Sequence, residues 1–165
     1  MPAGASHMHA HLRCRACGLI FVADLPPAED LRASYQRVHE SDFQVAHKTD
    51  WAPFLAHKAL TLDRLGVAVP EGDAESRALD LGCGEGVLLG LLRDRGYLPW
   101  GLELNPVMAA QARDAGHAVL EGSLEDEAPP AGLPSPFSLV LMNHVIEHLR
   151  RPDLALRRIH GWLRP

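Results

Sequence analysis

Ala78-Leu79-Asp80-Leu81-Gly82-Cys83-Gly84-Glu85-Gly86 is the stretch whose reading decides the fold. Its first four residues read as a short buried strand. Glycine then stands at every second position, and Val87-Leu88-Leu89-Gly90-Leu91-Leu92 follows with the apolar density of a helix packed on a sheet. Strand, glycine turn and helix make the entry to a nucleotide-type site, because glycine lets the backbone approach a ligand where a Cβ would collide. A dinucleotide site asks for G-x-G-x-x-G with a pyrophosphate on the helix N-terminus. Here the third glycine comes one residue early, and Val87 stands in its place. Asp80, just before the turn, would repel a pyrophosphate and suits a cationic group such as an α-ammonium. Glu103 lies at the end of the next strand-like run, Trp100-Gly101-Leu102-Glu103-Leu104. That is about the 20-residue offset at which an acid holds a ribose diol.

Working outward, the alternation is regular. The helix from Gly86 to about Arg95 ends near Gly96. A second strand, Pro99 to Leu104, leads to Asn105-Pro106, a helix start with proline at the first position. Val107 to Ala115 is helical and Gly116 ends it. His117 to Glu121 is a third strand, and Ser123 to Pro136 a loop carrying acids, four prolines and one helical turn. Phe137 to Met142 reads as a fourth, fully buried strand. Pro152 to Leu163 reads as an amphipathic helix with Leu154, Leu156, Ile159 and Leu163 inward and its arginines outward. Upstream, Pro27 to Val38 reads as a helix and His39 to Lys48 as a polar loop. Asp50 caps a helix with Phe54, Leu55, Ala59, Leu62 and Leu65 on one stripe, Gly66 at its end, and His57 and Lys58 on the solvated face. Pro70 to Ser76 is a turn-rich linker. Strands alternating with helices imply right-handed crossovers and a parallel sheet.

The pattern Asp80-Leu81-Gly82-Cys83-Gly84-x-Gly86, with Glu103 and the His144–Leu149 stretch at their spacings, resembles the S-adenosylmethionine site of class I methyltransferases. The resemblance implies an α/β fold: a Rossmann-like, doubly wound parallel sheet of strand order 3-2-1-4, with a ligand crevice at the carboxyl ends of strands 1 and 4. It implies S-adenosylmethionine as cofactor and a small-molecule acceptor methylated on an O, N or C atom. It assigns Asp80, Gly82, Cys83, Gly84 and Gly86 to the methionyl end, Glu103 to the ribose hydroxyls and Leu104 to the adenine face. Ser123, Leu124 and Glu125 follow strand 3, where the family often has an acid that reads the adenine amino group. Ser123 occupies the usual Asp place, so Glu125 is the candidate for that role. Asn143 and His144 border the transferred methyl, and His144 is the candidate catalytic base.

His144-Val145-Ile146-Glu147-His148 also matches the H-x-x-E-H metal motif, but it comes straight off a strand rather than lying within an established helix. It is far closer to the His-Val-Leu-Glu-His-Leu stretch of class I methyltransferases. Ubiquinone-type O-methyltransferases place an acidic pair and a histidine here around a divalent cation, and this chain has His144 where they have an acid. The reading from another class is a non-catalytic module that binds S-adenosylmethionine or a nucleotide; a dinucleotide oxidoreductase is the third.

Cys14-Arg15-Ala16-Cys17-Gly18 is half of a zinc ribbon: C-x-x-C-G places two thiolates, Cys14 and Cys17, on one metal. His9 and His11 are candidates to complete the set; otherwise the pair is two free thiols. In the resembling family such a knuckle is the second of an N-terminal ribbon, and here the first is absent. Three regions result: a tail with the half ribbon over 1–30, a helical cap and linker over 31–75, and the S-adenosylmethionine-binding domain over 76–165. The resemblance runs from about Arg13 to Pro165 and expects further C-terminal strands, so the domain reads as incomplete and its fourth strand as a bare edge.

Composition bounds the rest. At 165 residues, 47% hydrophobic and 22% charged, the chain has room for a core of ordinary globular kind. A formal charge of -5 leaves no electrostatic footprint for nucleic acid. No apolar run approaches the ~20 residues needed to span a bilayer, so no membrane partner is expected. Three cysteines make no disulfide framework, which points to a reducing cytoplasm.

Overall fold

The computed structural model describes residues 10–22, 27, 29–30, 33, 52–67, 76–126, 128 and 130–165. The chain divides into two compact units, Met1–Ser34 and Tyr35–Pro165. Most of the expected helix from Pro27, the polar loop after it and the linker before Ser76 lie outside the described residues.

In the first unit, β1 (His11–Arg13) pairs antiparallel with β2 (Ile20–Val22). The C-x-x-C-G sequence makes the connection. Cys14 N donates to Leu19 O at 2.8 Å, and Gly18 N donates to Cys14 O at 2.9 Å. Gly18 sits at φ 78, a conformation that a residue with a Cβ rarely adopts.

The second unit is built on a parallel sheet of order β5-β4-β3-β6, the expected 3-2-1-4. Its strands are β3 (Arg77–Leu81), β4 (Leu98–Glu103), β5 (Ala118–Glu121) and β6 (Leu139–Met142). β3 is central because it is apolar on both faces: Ala78, Leu79 and Leu81 are fully buried. It pairs Leu79 with Trp100 on one side and with Val140 on the other. The helices are α1 (Ala52–Arg64), α2 (Val87–Asp94), α3 (Pro106–Asp114) and α4 (Pro152–Trp162). One core cluster holds Leu79, Leu81, Leu102, Phe137, Ala155 and Ile159; another holds Cys83, Leu89, Ala109, Ala112 and Val119.

Several expectations need correction. The fourth strand begins at Leu139 and is half-buried along its length. Among the described residues its ladder is with β3 alone, and on its other side only an isolated parallel bridge joins Phe137 to Leu163. The described residues of the loop after Ser123 form turns rather than a helical turn. In α4 the inward stripe runs Ala155, Ile159, Trp162, Leu163, at the 3–4-residue spacing of a helix face; Leu154 and Leu156 flank it and are exposed. Arg158 of α4 is not outward: its guanidinium donates to Leu124 O at 2.7 Å and to Asp126 O. Leu65 follows the end of α1 and is exposed, whereas Leu62 is buried as expected.

Candidate functional site

The glycine turn leaves the carboxyl end of β3 with a fixed geometry. Gly82, Gly84 and Gly86 all have positive φ, at 70, 56 and 87. Packing explains two of them. A Cβ on Gly82 would stand 2.5 Å from Val145 Cγ2, and one on Gly86 would stand 2.7 Å from His117 Cδ2 and 3.2 Å from Ala112 Cβ. The glycines therefore admit neighbouring side chains of this chain. Gly82 N donates to Leu102 O at 2.7 Å, which ties the turn to β4.

Glu103 ends β4 and is buried. Its carboxylate accepts from Gly84 N at 2.8 Å and from Asn105 N at 2.7 Å, one bond to each oxygen. It thus links the glycine turn to the start of α3, where Asn105 Oδ1 caps the helix by accepting from Val107 N and Met108 N. Each carboxylate oxygen keeps a further lone pair for a hydroxyl donor. Leu104 follows, half-buried.

Asp80 is 2% exposed, and its Oδ1 has no hydrogen-bond partner. Burial raises its carboxyl to about 7; the Glu103 charge adds to the rise and the Lys58 ammonium opposes it. An orphaned buried carboxylate oxygen is expensive in an isolated chain and calls for a donor or a cation. Lys58 of α1 donates to Asn143 Oδ1 and lies 5.3 Å from the Phe54 ring centroid. This corrects the solvated placement of Lys58. The signal was in the sequence: Phe54, Lys58 and Leu62 stand four apart, and Leu62 is the buried residue of the helix. His57 is exposed, as expected.

Cys83 is placed differently from the rest of the turn. Its thiol packs in the second core cluster, where a Cβ on Gly101 would collide with it. Burial pushes that thiol well above the ordinary range, with the Asp80 and Glu103 charges adding to the effect. Only the backbone of Cys83 is available to a ligand in this arrangement.

After β5, Ser123 N donates to Asp126 Oδ2 at 2.8 Å and Ser123 Oγ accepts from Glu125 N at 3.1 Å. Leu124 is buried in the first core cluster. Glu125 Oε1 accepts from Arg150 N at 2.6 Å and Arg151 N at 3.0 Å. With the two Arg158 bonds, this fastens the loop after β5 to the start and body of α4.

After β6, Asn143 is half-buried and held by Lys58. His144 has a φ of 56, the one positive φ on a non-glycine among the described residues. Such a backbone is strained and persists where its surroundings require it. Its ring is 77% exposed, and its Nδ1 lies 3.4 Å from Glu147 Oε1. Val145, seated over Gly82, joins this segment to the glycine turn. No signal in the sequence pointed to Val145.

No cluster of three or more His, Cys, Asp or Glu side chains able to hold a metal occurs among the described residues. In the first unit Cys14 is half-buried, Cys17 is exposed, and both are free. Backbone hydrogen bonds from Cys17 and Ala16, then the Cys17 thiol, hold Cys14 below the ordinary thiol range. Two thiols supply two of the four donors that tetrahedral zinc takes. His11 is exposed on β1 and His9 lies outside the described residues.

The sheet order, with helices packed on a parallel sheet and acids near the carboxyl ends of β3 and β4, is that of an α/β domain of Rossmann type. Comparison with known proteins then fixes the family: the chain matches the methyltransferase domain model over residues 54–165 and belongs to that family. It is 32% identical over 117 residues to the biotin biosynthesis bifunctional protein BioCD of Bordetella avium (strain 197N), covering 70% of this chain and 24% of that protein. It is 29% identical over 98 residues to the ubiquinone biosynthesis O-methyltransferase of Pseudomonas aeruginosa (strain LESB58), covering 57% of this chain and 42% of the relative. The chain thus spans less than half the length of these curated relatives. Among solved structures, an S-adenosylmethionine-dependent methyltransferase from Mesorhizobium loti matches with a TM-score of 0.51 at 27% identity, over 62% of this chain and 48% of that one. The magnesium protoporphyrin IX methyltransferase of Synechocystis PCC 6803, solved with bound S-adenosylmethionine, shares the fold at 16% identity with a TM-score of 0.58, over 84% of this chain and 74% of that one. No helix among the described residues is long and apolar enough to cross a membrane.

Proposed function

We propose that this chain binds S-adenosylmethionine in the crevice at the ends of β3, β4 and β6, as part of an enzyme that methylates a small molecule on an O, N or C atom. The observation that carries the reading is Asp80: a buried carboxylate oxygen without a donor, one glycine turn away from an acid already fixed by two backbone N–H groups. The residues fit the group. Asp80 receives the α-ammonium, and the backbone of Gly82, Cys83, Gly84 and Gly86 borders the methionyl chain. Lys58, released from Asn143, offers a cation to the α-carboxylate. Glu103 accepts from the ribose hydroxyls, Leu104 packs on the adenine, and Ser123 and Leu124 border its edge. Glu125 reaches the adenine amino group only with the oxygen that does not hold α4.

When bound, the cofactor supplies a methyl carbon activated by a sulfonium. The chain supplies position, exclusion of water and a proton acceptor where the nucleophile needs one. Asn143 and His144 stand on the acceptor side, with His144 as the proton acceptor for a hydroxyl or amine. This reading assigns zinc no task in methyl transfer.

A comparison of one substitution against two ligands tests it. Glu103→Ala should weaken S-adenosylhomocysteine by about 1.5–3 kcal/mol, and should weaken an analogue lacking both ribose hydroxyls much less. Equal losses for the two ligands would remove the ribose role, and no binding by the unmodified chain would remove the cofactor.

A further inference from the structure

Glu147 follows β6 and has no task in the proposed function. Its Oε1 lies 3.4 Å from His144 Nδ1, three residues back across the short 3-10 turn Ile146–His148. His144 has a left-handed backbone at φ 56, and in that conformation its Nδ1 faces this carboxylate. Hydrogen bonding within its own turn, with the His148 and His144 rings beside it, holds the Glu147 carboxyl below the usual range and so keeps it an acceptor.

We propose that Glu147 is a positioning residue that holds His144 in the Nδ1–H form, leaving the Nε2 lone pair as the proton acceptor for a hydroxyl or amine. The inference rests on the reading of this segment as the acceptor side. Which imidazole nitrogen carries the proton is set by the bond that the other makes, and imidazole in water otherwise favours the Nε2–H form. In the step itself the acceptor lone pair forms the bond to the methyl carbon and the carbon–sulfur pair returns to sulfur. The acceptor proton goes to Nε2, and the resulting imidazolium faces the Glu147 carboxylate. A neutral ring in the opposite tautomer would present an N–H to the acceptor and could not take that proton.

Nitrogen-15 NMR of the histidine rings in the whole chain reads this without any acceptor, at alkaline pH where the imidazole is neutral, with the His144 signal assigned by its loss in His144→Gln. The unmodified chain should show His144 mainly as Nδ1–H. Glu147→Leu should move it to mainly Nε2–H, while Glu147→Gln, which keeps an oxygen acceptor, should retain much of the Nδ1–H form. S-adenosylhomocysteine should bind all three chains within about twofold. His144 already in the Nε2–H form, or unmoved by Glu147→Leu, would overturn the proposal. Loss of S-adenosylhomocysteine binding by the unmodified chain would instead strike the cofactor reading and leave the tautomer result standing on its own.

Discussion

The ends of β3 and β4 are built differently from the end of β6. At the ends of β3 and β4 the acids Asp80 and Glu103 are buried, and Glu103 is fixed by backbone N–H groups from two elements. At the end of β6 the ionisable residues are exposed, the backbone of His144 is strained, and the contacts run from side chain to side chain. The first side has the properties of a preformed seat for one constant ligand. The second can be adjusted by single substitutions without disturbing the sheet. The division matches a reaction in which the cofactor is fixed and the acceptor varies. The two sides meet at Val145 over Gly82, and Lys58 reaches across them from α1.

The largest effect should come from breaking that meeting point. Gly82→Val meets Val145 Cγ2 and forces a β-branched residue to φ 70. Thermal stability should drop and S-adenosylhomocysteine binding should disappear in calorimetry; wild-type affinity would mean that the turn does not border the ligand.

Next comes Asp80→Asn, whose effect should depend on pH. The folded Asp80 carboxyl titrates at about 7, and the unfolded one at about 3.9. Between those values the folded chain holds a proton that the unfolded chain has released. Rising pH therefore removes stability across that window, and the full penalty is present above it. Asp80→Asn should raise the melting temperature of the ligand-free chain above pH 7, have little effect near pH 4, and weaken S-adenosylhomocysteine at every pH. A stability gain with no loss of affinity would leave Asp80 a structural acid. Lys58→Met should act in the same place and more weakly, costing about tenfold in affinity by loss of a charge-assisted bond. It should also move the midpoint of the Asp80 titration up, since the Lys58 ammonium opposes the rise. The smallest effect should be that of His144→Gln on cofactor binding, within about twofold by calorimetry. A larger loss would place His144 on the cofactor side.

The contrast also marks what the sequence made legible. Periodicity placed the β3–α2–β4–α3–β5 run within a residue or two, because these elements alternate apolar strands with helices bounded by glycine and by an Asn-Pro start. That Asp80 and Glu103 stand near the carboxyl ends of adjacent parallel strands was readable from their spacing. The side-chain environments were not. The thiol of Cys83 turns to the core because Gly101 on the neighbouring strand leaves room for it, a fact of sheet register rather than of local sequence. In α4 the leucines at 154 and 156 outweighed the smaller Ala155 in the apolar pattern, yet Ala155 is the residue that the first core cluster admits. Glu125 reads as a ligand acid from its position after β5, but its contact with Arg150 N and Arg151 N links segments 25 residues apart.

In the proposed function Asp80 and Glu103 form the seat of a cationic, ribose-bearing cofactor. Calorimetric titration of the chain with S-adenosylhomocysteine and with NAD, on either side of pH 7, tests it most directly. S-adenosylhomocysteine should bind saturably and more tightly as pH rises through the Asp80 titration, NAD should not bind comparably, and Asp80→Asn should give a flat pH response. Binding of S-adenosylhomocysteine that ignores pH, or preferential binding of NAD, would contradict it.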